Sequence, residues 1–403
     1  MSIEDLTTPP RPPWRVAVAL AVTQVVHWGS LFYAFSVLMP AIAVETGWAR
    51  EAVVGAFSAG LLAEAGAVVL VGMVLDRLGS RAVMAAGSVA AGVGLWLAGQ
   101  VQTLWQLYAV WIGLGVVMAA TLYEAAFAAV TAAFGVVAAR RGIALVVFAG
   151  GLSSTVFWPL TSLLVQEVGW REACSALAVA NALCAVLHAV LLPRARHHES
   201  VPVPRFQDRQ GTASGLRLRE ACLQIRFWGL ALVYAVLGVT SSAVAVHLVP
   251  LLHERGAGAA ATALASLVGA AQVAGRVLEF AGGDRWSLRA VGLAALAVLP
   301  AAFVGLAAGE GAAVLAAAVA LYGASNGVMT IVRGALPARM FGAAHYGAVA
   351  GGLAASGAFA RAAGPLAVAW IWEWGGGYGP AMAALALLSL IGLGVFAAAT
   401  RLG

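Results

Sequence analysis

The chain has 403 residues, of which 62% are hydrophobic and only 10% charged. So small a polar complement cannot coat a water-facing surface around that much apolar side chain, which excludes a soluble globular protein and indicates an integral membrane protein. The net charge is +6, but every basic residue is arginine and the arginines are scattered through short loops, which argues against a nucleic-acid partner.

Three cysteines, Cys174, Cys184 and Cys222, have no paired or metal-binding spacing, so neither a disulfide nor a metal or other cofactor is expected. The first fifteen residues carry Glu4, Asp5, four prolines, Arg11 and Arg15. The apolar run that follows is too long for a signal peptide and is expected to stay as the first span. Apolar runs set against polar breaks predict twelve spans: 16–39, 52–75, 82–100, 104–134, 142–165, 172–193, 223–250, 262–281, 289–308, 311–336, 347–369 and 378–400. With the N-terminus inside, the inner segments carry 17 arginines, whereas the outer loops carry only Arg50, Arg171 and Arg255. The positive-inside rule then places both termini in the cytoplasm of a cell whose inner membrane holds the chain.

One long polar break, rich in Pro, Arg and His, divides the spans six and six, so 1–193 and 223–403 are expected as two helix bundles joined by a cytoplasmic linker, 194–222. The end of the linker, Leu216 to Leu223, reads equally as a short interfacial helix or as plain linker with snorkelling arginines. The halves also repeat. Trp158-Pro159-Leu160 followed by Gly169-Trp170 is echoed by Gly364-Pro365-Leu366 followed by Gly377-Tyr378, and Asp76-Arg77 is echoed by Asp284-Arg285. Such internal repetition predicts two pseudo-symmetric bundles in an all-α membrane protein.

An ionisable group in mid-bilayer costs about 2.5–3.5 kcal/mol on insertion scales, so each one is a functional candidate. Counted from the nearest inner turn at about 1.5 Å per residue, Arg276, Glu124, His27, Glu64 and Arg361 lie roughly 12 to 21 Å deep. Arg333 and Glu279 are shallower and within snorkelling reach of water. Two buried guanidiniums, Arg276 and Arg361, predict a fork that grips a carboxylate, with internal salt bridges as the competing explanation. Glu64 and Glu124 are candidates for carrying protons, and His27 is a third. Trp28, Tyr33, Tyr123, Tyr322, Asn326 and Gln272 are candidates for the remaining cavity wall, although each serves equally well in packing. No Ser-His-Asp set, P-loop or metal cluster appears, so an enzyme is not expected.

The stretch Gly72-Met73-Val74-Leu75-Asp76-Arg77-Leu78-Gly79-Ser80-Arg81 reads as a short polar turn between spans two and three. Its spacing resembles the loop at that place in the major facilitator superfamily of secondary transporters, with Ser80 where the family usually has a second base. Gly282-Gly283-Asp284-Arg285 is the matching echo in the second half. Within the superfamily, Gly29 to Tyr33, Pro40, Gly47-Trp48, Arg140-Arg141-Gly142 and Arg226-Phe227-Trp228 resemble the oxalate/formate antiporter and monocarboxylate porter group. That group carries basic residues in helices eight and eleven, where Arg276 and Arg361 fall. His27-Trp28-Gly29 departs from its usual early charge.

These resemblances imply twelve helices in the major facilitator fold. They imply alternating access that moves a small organic anion with protons or against a counter-anion, in a protein expected to be monomeric. Gly72, Asp76, Arg77, Gly79, Arg81, Asp284 and Arg285 are then expected to gate the inner side. Efflux of a drug-like compound is the alternative within transport, and a non-transporting receptor or scaffold the alternative outside it.

Overall fold

The computed structural model describes residues 13–135, 139–193, 215–282, 285–342 and 345–401. The expected linker between residues 194 and 214, and Asp284, lie outside the described residues. The described residues form twelve membrane-length helices: α1 (Trp14–Thr46), α2 (50–78), α3 (80–100), α4 (Leu104–Phe134), α5 (139–168), α6 (170–191), α7 (Ile225–Glu254), α8 (Ala261–Gly282), α9 (Leu288–Ala308), α10 (Ala312–Phe341), α11 (Tyr346–Gly375) and α12 (Tyr378–Ala399). They make the two-bundle, all-α membrane fold, α1–α6 in one bundle and α7–α12 in the other.

The turn expected over Gly72–Arg81 is mostly helix. Helical geometry runs from Arg50 to Gln100 and is broken only at Gly79, whose φ of 78° and ψ of 154° reverse the chain in a single residue. Gly169, with φ 84° and ψ 165°, does the same between α5 and α6. A side chain at either position would meet the positive-φ steric penalty. Hydrocarbon offers no water to an open loop, so continuing the helix to the last residue keeps all but the terminal backbone groups paired. The two ends of the molecule are called below the Gly79 end and the Gly169 end. At the Gly79 end, Leu218–Cys222 forms a short helix before α7, and Leu216 N donates to Phe341 O at 2.8 Å.

Lipid tails are as apolar as leucine, so packing rather than water exclusion holds such helices together. In the first bundle Phe35 stacks on Phe57 at 4.5 Å and both meet Trp111 edge-on. The Gly169 ends of the bundles are tied alike. Glu45, ending α1, accepts from Trp170 at 2.7 Å and from Arg171 at 2.9 Å. Glu254, ending α7, accepts from Trp372 Nε1 and Tyr378 N, both at 2.8 Å. Arg171 caps the carbonyls of Gly99 and Val101, and Arg255 donates to Ala307 O. The repeat seen in Gly169-Trp170 and Gly377-Tyr378 is therefore a repeat of tie-down chemistry.

Candidate functional site

Three irregular helices shape the space between the bundles. In α1 a π-helical turn spans Trp28–Tyr33, closed by Ala34 N donating to Gly29 O at 2.8 Å. In a regular helix residues 28 and 33 would diverge by roughly 140°. The wider turn brings Trp28, Phe32 and Tyr33 to one face, and π-turns of this kind recur at functional sites. In α4 the helix breaks at Leu122, and Gln24 Nε2 donates to the freed carbonyl of Thr121 at 2.6 Å. The break leaves Tyr123 and Glu124 in the first turn of a new half-helix, where a carboxylate meets the positive end of the dipole. In α5 the break is at Leu152, just after Gly150 and Gly151.

Between the bundles lies a cavity of about 400 Å³. Trp28, Tyr33, Tyr123, Glu124, Gln272, Arg276, Tyr322, Asn326 and Arg361 all line it. It extends from mid-helix to Ala350 and Ala354, near the start of α11 at the Gly79 end. Three guanidiniums face it from the second bundle: Arg276 of α8, Arg333 of α10 and Arg361 of α11. Arg333, whose side chain was expected to snorkel to water, instead joins the cavity wall beside the Tyr234 ring, 5.8 Å from its centroid. The apolar residues around it in sequence were the available signal. Trp158, seen in the sequence only as part of a repeat, also lines the cavity and donates to Tyr33 O at 3.0 Å.

The two arginines singled out from sequence have different partners. Arg361 Nη2 lies 2.8 Å from Glu64 Oε2, an ion pair that joins α11 to α2 across the bundles. Glu64 is thus buried against Arg361 outside the cavity lining. The same carboxylate oxygen has no hydrogen bond, so the contact is close but misaligned. The internal salt bridge weighed as an alternative for Arg361 is therefore present in this conformation.

Arg276 has no carboxylate partner among the described residues. Its Nη1 donates to Val147 O of α5 at 2.6 Å, and Nη2 lies 3.5 Å from Gln272 Oε1. Glu279 does not pair with it and lines a separate groove with Trp286. Four of the buried donors without a hydrogen-bond partner among the described residues are Arg276 Nε, Arg361 Nε, Gln272 Nε2 and Trp28 Nε1. Each belongs to a residue of the cavity wall, so the wall is short of acceptors.

Arg276 reaches α5 because Gly151 leaves it room: a Cβ there would stand 2.6 Å from Arg276 Nη1. Gly151→Ala is expected to push the guanidinium off Val147 O and, should the cavity hold an anion, to weaken its binding about tenfold, the worth of one charge-assisted hydrogen bond. Titration calorimetry on the purified variant checks this, and unchanged affinity would show that the anchor is dispensable.

His27 stands apart from the cavity. It is fully buried within the first bundle, its Nε2 3.1 Å from Ser88 Oγ, with its ring stacked on His188 at 5.5 Å. Asp76 and Arg77 are exposed at the Gly79 end and Arg81 is half-buried there. None of the three forms an ion pair with a described residue. Arg285 is also exposed.

The Gly169 end is closed by a residue that sequence counting treated only as an outer arginine. Arg50 of α2 lies over the Trp372 ring of α11, 3.9 Å from its centroid, and Nη1 donates to Tyr378 Oη of α12 at 3.3 Å. His247 Nδ1 approaches the same hydroxyl at 2.9 Å. A cation–π contact of this kind is worth about 0.5–2 kcal/mol. Arg50→Ala is therefore expected to raise opening of the Gly169 end about three- to tenfold, read as the rate at which a membrane-impermeant reagent, added only on the Gly169 side, alkylates a cysteine introduced by Val244→Cys. An unchanged rate would remove Arg50 from the closure.

Two helix bundles closed at one end around a cavity, in a chain made of membrane spans, define a membrane transporter, and no enzyme is indicated. The sequence matches the family model of the Major Facilitator Superfamily over residues 20–365, and the chain belongs to that superfamily. No curated protein matches it in sequence. Among solved structures it is similar to a mutant of the nucleoside transporter NupG, with a TM-score of 0.76 and 16% identity over 96% of this chain and 100% of that one. A bacterial homolog of the human lysosomal transporter Spinster, inward-facing and unoccupied, gives 0.72 and 16% over 98% of both chains. The human organic anion transporter MFSD10 gives 0.64 and 17% over 96% and 100%. At these identities the likeness is one of fold.

Proposed function

We propose that the chain is a secondary transporter of a small organic anion, a monocarboxylate or dicarboxylate, working by alternating access with protons or a counter-anion. The observation that carries this reading is the cation-rich, acceptor-poor cavity wall. Arg276, Arg333 and Arg361 face a space whose one carboxylate among the described lining residues is Glu124. A guanidinium held in a low-dielectric site binds a carboxylate through charge-assisted, often bidentate hydrogen bonds, and Arg276 has its Nε free to make one.

The Glu64–Arg361 pair supplies a coupling route. An incoming carboxylate competes with Glu64 for Arg361, and a displaced Glu64 is neutralised most simply by taking a proton. Glu124, on the cavity side, is the second proton carrier. With the Gly79 end as the cytoplasmic one, on the arginine distribution, the conformation opens inward. Asp76, Arg77 and Arg81 would then latch that end when it shuts, together with Asp284 and Arg285. The proposal takes 1–193 and 223–403 as the bundles that move, 194–222 as the cytoplasmic linker, the bacterial inner membrane as the site and a monomer as the unit. The resemblance to the oxalate/formate and monocarboxylate group favours the same substrate class. The aromatic lining favours a second reading, efflux of a drug-like compound, which predicts that Arg361→Ala is tolerated.

Uptake into proteoliposomes across a panel of carboxylates, with and without a pH gradient and with uridine as a neutral comparison, tests the proposal. Saturable uptake of a carboxylate, stimulated by a pH gradient or by an internal anion, is the expected result. Transport of uridine with none of any carboxylate would overturn it.

A further inference from the structure

The proposed anion reading leaves the body of the substrate unspecified, and the cavity divides its chemistry unevenly between its walls. The second bundle contributes the cations. The second also contributes two rings, Tyr234 and Tyr322, but the first contributes most of them: Trp28, Phe32 and Tyr33 from the π-turn of α1, Tyr123 from the break in α4, and Trp158 from α5. These rings already support one another. Trp28 and Tyr123 lie 4.9 Å apart and tilted, Tyr33 meets Trp158 edge-on at 5.2 Å, and Phe32 meets Tyr33 edge-on at 5.3 Å. Held in this way, the wall has little conformational freedom left to lose when a flat ligand lies against it.

Size points the same way. An acetate-sized ion has about the bulk of three waters, roughly 90 Å³ at 30 Å³ per water. In a cavity of about 400 Å³ it would leave most of the aromatic lining wet. Glu124 limits the charge. Its carboxylate lines the cavity and is exposed in it, so a second carboxylate on the ligand would face like-charge repulsion there, whereas a hydrogen-bond donor would not. The unpartnered Trp28 Nε1 and Gln272 Nε2 add two donors to the cavity wall.

Resting on the anion proposal, we infer that the substrate is an aromatic monocarboxylate, its ring against the α1, α4 and α5 side chains and its carboxylate on the arginines of α8, α10 and α11. Apolar ring area removed from water, together with ring–ring contact, favours benzoate or 2-naphthoate over acetate by about 100-fold or more.

Equilibrium binding to the purified full chain, read by calorimetry and tryptophan fluorescence, tests this with benzoate, 2-naphthoate, acetate, phthalate and the neutral benzamide. The expected order is 2-naphthoate and benzoate tightest, acetate about 100-fold weaker, and phthalate weaker than benzoate. Tyr123→Leu, checked for an unchanged melting temperature, is expected to cut the benzoate-to-acetate ratio about tenfold. Should that variant unfold, Trp28→Leu replaces it with the same expected reduction. Acetate and benzoate binding within threefold of each other would overturn the aromatic inference and leave the anion proposal standing. Phthalate binding more tightly than benzoate would overturn the single-charge part. Benzamide binding as well as benzoate would sink the anion proposal itself, and the inference with it.

Discussion

Arg276→Gln is expected to weaken carboxylate binding about 100-fold. The side chain is 4% exposed, lies among apolar helices and has only neutral partners among the described residues, the Val147 carbonyl and the Gln272 amide oxygen. No described carboxylate pairs with its charge, and on the proposed function a bound anion would; truncating one partner of such a desolvated pair costs about 2–5 kcal/mol. Glutamine ends two bonds short of Nη1, so the variant removes the charge and the bond to Val147 O together. Calorimetric affinity for a transported carboxylate, with uptake measured in parallel, checks it. Binding within threefold of the parent protein would mean that Arg276 is a structural tie between α8 and α5 and not a ligand.

The second large effect concerns the pair between bundles, and it is asymmetric. Glu64→Gln leaves the Arg361 guanidinium, 20% exposed and facing the cavity, without its counter-charge, and a guanidinium cannot shed its proton. The expected cost is about 3 kcal/mol of stability, the low end for a desolvated pair because this cation keeps some access to the cavity. Arg361→Gln leaves Glu64 alone instead, but a carboxylate escapes its burial by protonation, so the cost should be well under half of that. The double variant, Glu64→Gln with Arg361→Gln, should recover most of the loss, since two neutral amides fit the site without a buried charge. Denaturation of the detergent-purified proteins at neutral pH gives the three values. Equal losses from both single variants would show that the pair is not isolated from water. If Glu64 also carries the coupling proton, Glu64→Gln should abolish stimulation of uptake by a pH gradient while exchange persists.

Much of the architecture was readable because hydrocarbon imposes severe rules. A helix must be about twenty apolar residues long to cross it, so alternating runs and breaks located all twelve helices to within a few residues at most ends, and α1, expected to stop at 39, runs on to Thr46. The same rules made charges conspicuous: Arg276, Arg361, Glu64 and Glu124 stood out in spans that otherwise contain almost none. The turn at Gly72–Arg81 was harder, because polarity marks where a chain nears water and not where a helix stops. A positive-φ glycine can reverse the chain within one residue, so the helix continues to Leu78. Arg333 was misjudged for a related reason, since depth alone does not say whether a long side chain turns to water or to a cavity.

Span number, the arginine asymmetry and the presence of costly charges in the membrane follow from the order of residues along the chain, because each depends only on local composition against a fixed bilayer thickness. Which charge meets which does not. Arg361 and Glu64 are almost three hundred positions apart, Arg50 finds Trp372 from the opposite bundle, and His27 is withdrawn into a packed cluster with Ser88 and His188. Those outcomes turn on helix rotation and on the π-turn in α1, and a rotation of a few tens of degrees costs the sequence pattern nothing while exchanging a partner for a cavity.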